Sequence, residues 1–248
     1  MNDALEWVTD ALLARSSGSV VASAFRPVVP ATLVFLIRRY LSDGRPELRD
    51  ALERGLTEGL SAFNQERDPR ARCEWLGALA EASALVDAAQ LAEMVARALP
   101  DVIDELEQFV RGVYEPGEGA LGASCHEHLR LASALLVAFD LSGRLPYSML
   151  AEELLQTTQR RWWDADTGAF RADFSANCIA AQVCCRLAAL HHDDDYAARA
   201  VLAPAARYGE QAALVLASLE PHYREHEASA ADYGLALLDW LAFSLLPN

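Results

Sequence analysis

The 248-residue chain predicts an all-α protein of helical pairs arranged in two concentric layers. Two observations carry this reading. Segments apolar on every side begin at Ala123, Asn177 and Ala231, 54 residues apart each time, and each follows a charged amphipathic helix and a short loop. No run alternates at period two, as a half-buried strand would. A helix without a polar face must be enclosed by protein or lipid. No stretch reaches the roughly 18 to 20 apolar residues of a membrane span; the best, residues 20–37, is broken by Arg26, Pro27 and Pro30. Other helices are therefore the expected enclosure.

Each element follows from its own residues. Leu5, Val8, Leu12 and Leu13 make residues 3–14 a one-sided helix, closed by the polar loop 16–19. Pro30 opens residues 31–41, since a first-turn proline lacks only an N–H that has no helical partner. Residues 46–63 place Leu48, Leu52, Leu56 and Leu60 at four-residue spacing with charge elsewhere, and pair with 69–86 around Trp75, Leu76 and Leu79. Residues 87–110 form the next outer helix, kinked at Pro100, and 124–139 its inner partner. The fourth pair is 147–162 and 177–190. The fifth is 194–219 and 231–245, joined through Pro221, His222, Tyr223 and His226. Repeats of this length also suit helical solenoids. A solenoid helix keeps one polar face, which 177–190 and 231–245 lack, so closure into a ring is favoured and the chain is expected to form a single domain, 1–248.

Composition narrows the function classes. Hydrophobic residues at 52% and charged residues at 23% describe a globular chain. The net charge of -15 argues against nucleic acid and anionic membranes. All 21 basic residues are Arg, which removes Schiff-base and Lys-nucleophile chemistry. Cys73, Cys125, Cys178, Cys184 and Cys185 are an odd set without a CxxC, expected as buried thiols. With an acidic start rather than a basic, apolar leader, a cytoplasmic location is expected.

The stretch Arg161-Trp-Trp-Asp-Ala-Asp-Thr-Gly-Ala-Phe, then Asn177, then Arg186-Leu-Ala-Ala-Leu-His-His-Asp-Asp-Asp-Tyr, resembles a recurring pattern of α/α-toroid proteins. These are the N-acylglucosamine 2-epimerases, the six-hairpin glycosidases and the toroid half of bacterial thioredoxin-fused proteins. Their outer helices end in a Trp-Asp-x-x-x-Gly-x-Phe turn, and an inner helix follows. Phe25-Arg-Pro through Leu41 also looks like the first inner helix of the thioredoxin-fused group. The resemblance implies an α/α toroid of about five helical hairpins, one short of a six-hairpin ring. It departs from the group in having no thioredoxin domain. Its specific letters span only about residues 150–200.

The resemblance also implies that inner-helix starts and their loops line one mouth. The expected catalytic groups there are Glu127, His126 and Asp232, and the expected substrate-binding groups are Trp75, Trp163, Arg171, Asp173, Asn177 and Tyr223. Two carboxyls across a sugar suit glycoside hydrolysis, whereas His126, His128 and His226 suit proton transfer at a sugar C2, as in the epimerases. The same carboxylates also read as helix caps or first-turn charges. Cys125-His-Glu-His is not a metal site if helical, because successive side chains diverge by about 100°; no metal or cofactor is expected. Two readings stay open: a mouth that binds or processes a carbohydrate, and a non-catalytic scaffold that binds a peptide or partner protein.

Overall fold

A computed structural model describes residues 1–16, 29–85, 89–113 and 124–246. The approach to the first inner helix around Phe25-Arg-Pro and the loop from Tyr114 lie outside the described residues. The chain is all-α: among the described residues it holds eleven α-helices, two 3-10 turns and one two-stranded ribbon. Contacts group it into two compact units, Met1–Leu106 with Ala230–Leu235, and Glu107–Ser229 with Ala236–Asn248.

The first unit contains α1 (Asn2–Ser16), α2 (Pro30–Asp43), α3 (Pro46–Gln65) and α4 (Pro69–Ser83). Proline opens α2, α3 and α4 in each first turn, and Gly44 ends α2 in the left-handed region at φ 65. Helix α2 packs on α3 and α4; Leu33 lies against Gly55 and Gly59 of α3, and Leu36 clusters with Leu48 and Ala51. Trp75 of α4 is 3% exposed and lies against Gly59 of α3. Arg39, also buried, is held by Glu6 at 2.8 Å, Asp43 at 2.9 Å and the Thr9 hydroxyl at 3.3 Å.

Helix α5 (Ala89–Val113) runs unbroken through Pro100. The carbonyl left without its usual donor belongs to Ala96. Both residues are exposed, so water can supply the missing bond at little cost.

The second unit contains α6 (Cys125–Ser142), α7 (Leu145–Trp162), strands β1 (Trp163–Asp164) and β2 (Ala169–Phe170), α8 (Phe174–His192), α9 (Asp194–Ala200) and α10 (Tyr208–Leu219). Here the apolar pattern translates into burial on most sides, with one half-buried stripe of α8 at Ser175, Ile179, Gln182 and Arg186. Helix α8 buries Cys178, Ala180, Ala181, Val183, Cys184, Cys185 and Leu187 on successive faces. It packs on α6 and most extensively on α10, and α6 packs most extensively on α7.

Three expectations need correction. Residues 194–219 are not one helix: Pro204 falls in the gap 201–207 between α9 and α10, where its missing N–H and its ring oppose helix continuation. The Trp-Asp turn is not merely a loop but a β-ribbon pairing Trp163 with Phe170 and Asp164 with Ala169. Helix α11 (Ala230–Ser244) buries Ala231, Tyr233, Leu235, Ala236 and Leu237, yet Ala242, Ser244 and Leu245 are exposed, so 231–245 is not an inner helix throughout.

Candidate functional site

The starts of α6 and α8 are built by side chains that cap them. The Ser124 hydroxyl accepts the Glu127 N–H at 3.4 Å, and one Asp173 oxygen accepts the Ala176 N–H at 2.8 Å. Each satisfies an N–H that the first helical turn leaves unpaired. Asn177 then ties the ribbon to α8. Its amide oxygen accepts the buried Phe170 N–H at 2.9 Å, and its amide nitrogen donates to the carbonyls of Phe170 and Asp173, each at 3.1 Å. Gly168, at φ 68, closes the ribbon's turn, where a side chain would be strained. Trp163 packs edge-on against Phe170, centroids 5.2 Å apart. Thus the Trp-Asp-x-x-x-Gly-x-Phe run forms a ribbon fastened to the head of α8.

This geometry gathers part of the expected constellation. The second Asp173 oxygen faces His126 Nδ1 at 3.4 Å. On the next residue, Phe174, the ring of His226 is stacked at 4.3 Å and 11°. Two imidazoles therefore meet consecutive residues at the start of one helix. Glu127 lies beside His126 in the first turn of α6. Arg171 donates to the Arg161 carbonyl at 3.3 Å. Tyr223 sits in the 3-10 turn Tyr223–Glu225 beneath the Arg224 guanidinium, 5.5 Å from its ring centroid.

Other expected residues are placed differently. Trp75 and Asp232 belong to the first unit, the former as a packed core residue and the latter in the first turn of α11. Asn177 is 5% exposed and committed to the backbone bonds above. His128 is wholly buried against Trp162, and its Nδ1 faces the Ser124 carbonyl at 3.2 Å. Burial lowers its pKa and keeps the ring neutral. Cys125, beneath the same turn, is pushed up to about 12, first by burial and then by the Asp173 charge, so it is a thiol rather than a nucleophile. No cluster of metal-ligating side chains occurs among the described residues.

At the opposite end of α8 lies a group the sequence reading passed over. Glu152 of α7 is completely buried, yet four donors converge on its carboxylate. They are the Leu202 N–H at 2.9 Å, the Tyr208 hydroxyl at 3.0 Å, the Ala203 N–H at 3.1 Å and His191 Nε2 at 3.1 Å. Gln156 donates to the Tyr208 oxygen at 2.7 Å. Burial pushes the Glu152 pKa up, but the hydrogen bonds from His191 and Leu202, the His191 charge and the Tyr208 bond outweigh it, and the net shift is downward. The carboxylate is therefore ionised and acceptor-only, which makes His191 Nε2 the donor. Two signals were available. Glu152 falls on the stripe of Ser148, Ala151, Leu155 and Thr158 rather than on the charged face, and Pro204 foretold a loop needing partners for its N–H groups.

A groove of about 400 Å³ lies beside this network, lined by Ala188, His191, His192, Ala197, Val201, Pro204, Ala206, Arg207, Tyr208, Gly209 and Glu210.

Comparison with protein-family models, with curated proteins and with solved structures finds no match for this chain.

Proposed function

We propose that this chain binds a carbohydrate and acts on it by proton transfer, at the end of the second unit where α6 and α8 begin, within a framework of the α/α-toroid kind. The observation that carries the reading is the pair of imidazoles on consecutive residues, His126 against Asp173 and His226 against Phe174. Histidine is the side chain best suited to exchange protons near neutrality. In the open-chain form of a reducing sugar, the C2 hydrogen is acidified by the neighbouring carbonyl. One imidazole would remove it and the other would return a proton to the opposite face, inverting C2. Asp173 orients the His126 ring, and Glu127 and Arg171 supply hydrogen bonds to hydroxyls. A glycosidase mechanism has less support, because one oxygen of Asp173 is spent as a helix cap. The packing of α6 on α7, of α8 on α10 and of α6 on α8, with α6 and α8 largely buried, is what supports the toroid reading.

The test is exchange of the C2 hydrogen in D₂O, followed by proton NMR, with N-acetylglucosamine, N-acetylmannosamine, glucose and mannose. Exchange is expected with at least one sugar, and His126→Gln or His226→Gln should slow it by about a hundredfold or more. Absence of exchange with all four would end the enzymatic reading. The second reading, a non-catalytic scaffold for a peptide or partner protein, is favoured by one observation: Trp75 and Asn177 are committed to packing and to backbone bonds.

A further inference from the structure

The groove at the C-terminal end of α8 is distinct from the histidine pair at its start, and it pairs a cavity with a polarised imidazole. Glu152 takes His191 Nε2–H as its donor, so the neutral tautomer that this bond selects carries its lone pair on Nδ1. No bond to Nδ1 forms among the described residues, and the ring lines the groove. A carboxylate bonded to one ring nitrogen in this way sets which tautomer the imidazole adopts. The site thus offers a directed hydrogen-bond acceptor.

The remaining lining defines what can occupy it. Arg207 at the rim is engaged by Glu210 through one terminal nitrogen at 3.0 Å. Its guanidinium has five N–H donors and can still accept a carboxylate in a forked pair. Apolar walls are supplied by Ala188, Ala197, Val201, Pro204 and Ala206, and His192, Tyr208, Gly209 and Glu210 complete the lining. The volume is within the range of small-molecule sites. We propose that this groove binds a small aliphatic hydroxy acid. Its carboxylate pairs with Arg207, its hydroxyl donates to His191 Nδ1, and its carbon body lies on the alanine and valine walls.

The probe is 2-hydroxybutyrate, with butyrate as the analogue lacking the hydroxyl and 2-butanol as the analogue lacking the carboxylate. Side-chain ¹⁵N spectra of the full chain report the His191 tautomer directly. 2-Hydroxybutyrate is expected to shift the Nδ1 resonance saturably. Butyrate and butanol should each bind at least about tenfold more weakly, a loss of about 1.4 kcal/mol. Arg207→Gln, a surface change, should weaken 2-hydroxybutyrate by a similar factor while leaving the His191 tautomer as it was. His191→Gln should remove the discrimination between 2-hydroxybutyrate and butyrate, now read by calorimetry. The proposal is overturned if 2-hydroxybutyrate gives no saturable shift, if butyrate binds equally well, or if Arg207→Gln binds as the parent does. Sugar C2 exchange measured on the same Arg207→Gln sample should be unchanged, which separates the fate of this site from that of the His126 and His226 end.

Discussion

Glu152 is the residue on which most of the local structure of the second unit converges. A buried charge is tolerated only when its lone pairs are filled, and its four donors tie α7 to α8, α10 and the 201–207 loop at once. Glu152→Gln keeps the volume but removes the charge and turns an amide N–H toward backbone donors. Loss of about 3 kcal/mol is expected by urea unfolding at neutral pH, the usual scale for breaking a buried charged network. The pH dependence has a definite sign. The folded pKa lies below the unfolded one, so the stabilisation is fully present above the ordinary carboxylate range and is lost as pH falls through the folded value. The urea midpoint of the parent should therefore fall more steeply on acidification than that of Glu152→Gln. Parallel curves would show that Glu152 carries no such linkage. The cysteines give a second residue-scale expectation. None of the five is in a disulfide and all are buried, and burial pushes Cys184 up to about 12. Labelling with a thiol reagent should be slow in the native protein and fast in urea; rapid native labelling of Cys178, Cys184 or Cys185 would reopen a redox role.

Among the elements, α3 approaches α4 closely at a glycine. A methyl group at Gly59 would stand 2.8 Å from Cζ3 of Trp75. Alanine is the better helix former by about 1 kcal/mol, yet the indole is part of a packed interface and cannot withdraw freely. Gly59→Ala is therefore expected to destabilise by about 1 to 3 kcal/mol, the ordinary cost of overpacking. A stabilised variant would mean that the Trp75 ring shifts easily. The ribbon before α8 makes a complementary case. Removing the Asn177 amide in Asn177→Ala leaves the buried Phe170 N–H and carbonyl without that partner, at a cost of about 1 to 3 kcal/mol. The near-ultraviolet signal of Trp163 should change in the same variant, because its packing partner Phe170 is held by that amide. An unchanged signal would mean that the strand pairing alone holds the ribbon.

Charge acts at the scale of the whole molecule. A net charge of -15 without a single Lys means that carboxylates outnumber their partners over the chain. Exposed pairs such as Arg49–Glu53 and Arg97–Glu93 contribute between about zero and 1 kcal/mol each. Long-range repulsion is screened once the Debye length falls to about 10 Å near 0.1 M salt. The thermal midpoint should therefore rise as sodium chloride is raised from low ionic strength toward that value. A falling midpoint would show that the ion pairs outweigh the repulsion.

What the sequence determined by itself was periodic and local. Helix starts at Pro30, Pro46 and Pro69, the deep burial of α6 and α8, and the turn at Trp163–Phe170 were legible because propensity, capping and apolar spacing are properties of neighbouring residues. A capping role for the mouth carboxylates, which Asp173 fulfils, was legible for the same reason, whereas the Ser124 cap was not read. Tertiary structure decided the rest. It set Asp173 against His126 and His226 against Phe174, contacts across 47 and 52 positions that no local pattern encodes. It made Glu152 a buried hub, because a carboxylate in an amphipathic helix looks solvated until the donors that surround it, drawn from three other segments, are brought in. It also split 194–219 in two, since Pro204 only forbids a helix, whereas the place of the loop is settled by Glu152 accepting the N–H groups of Leu202 and Ala203.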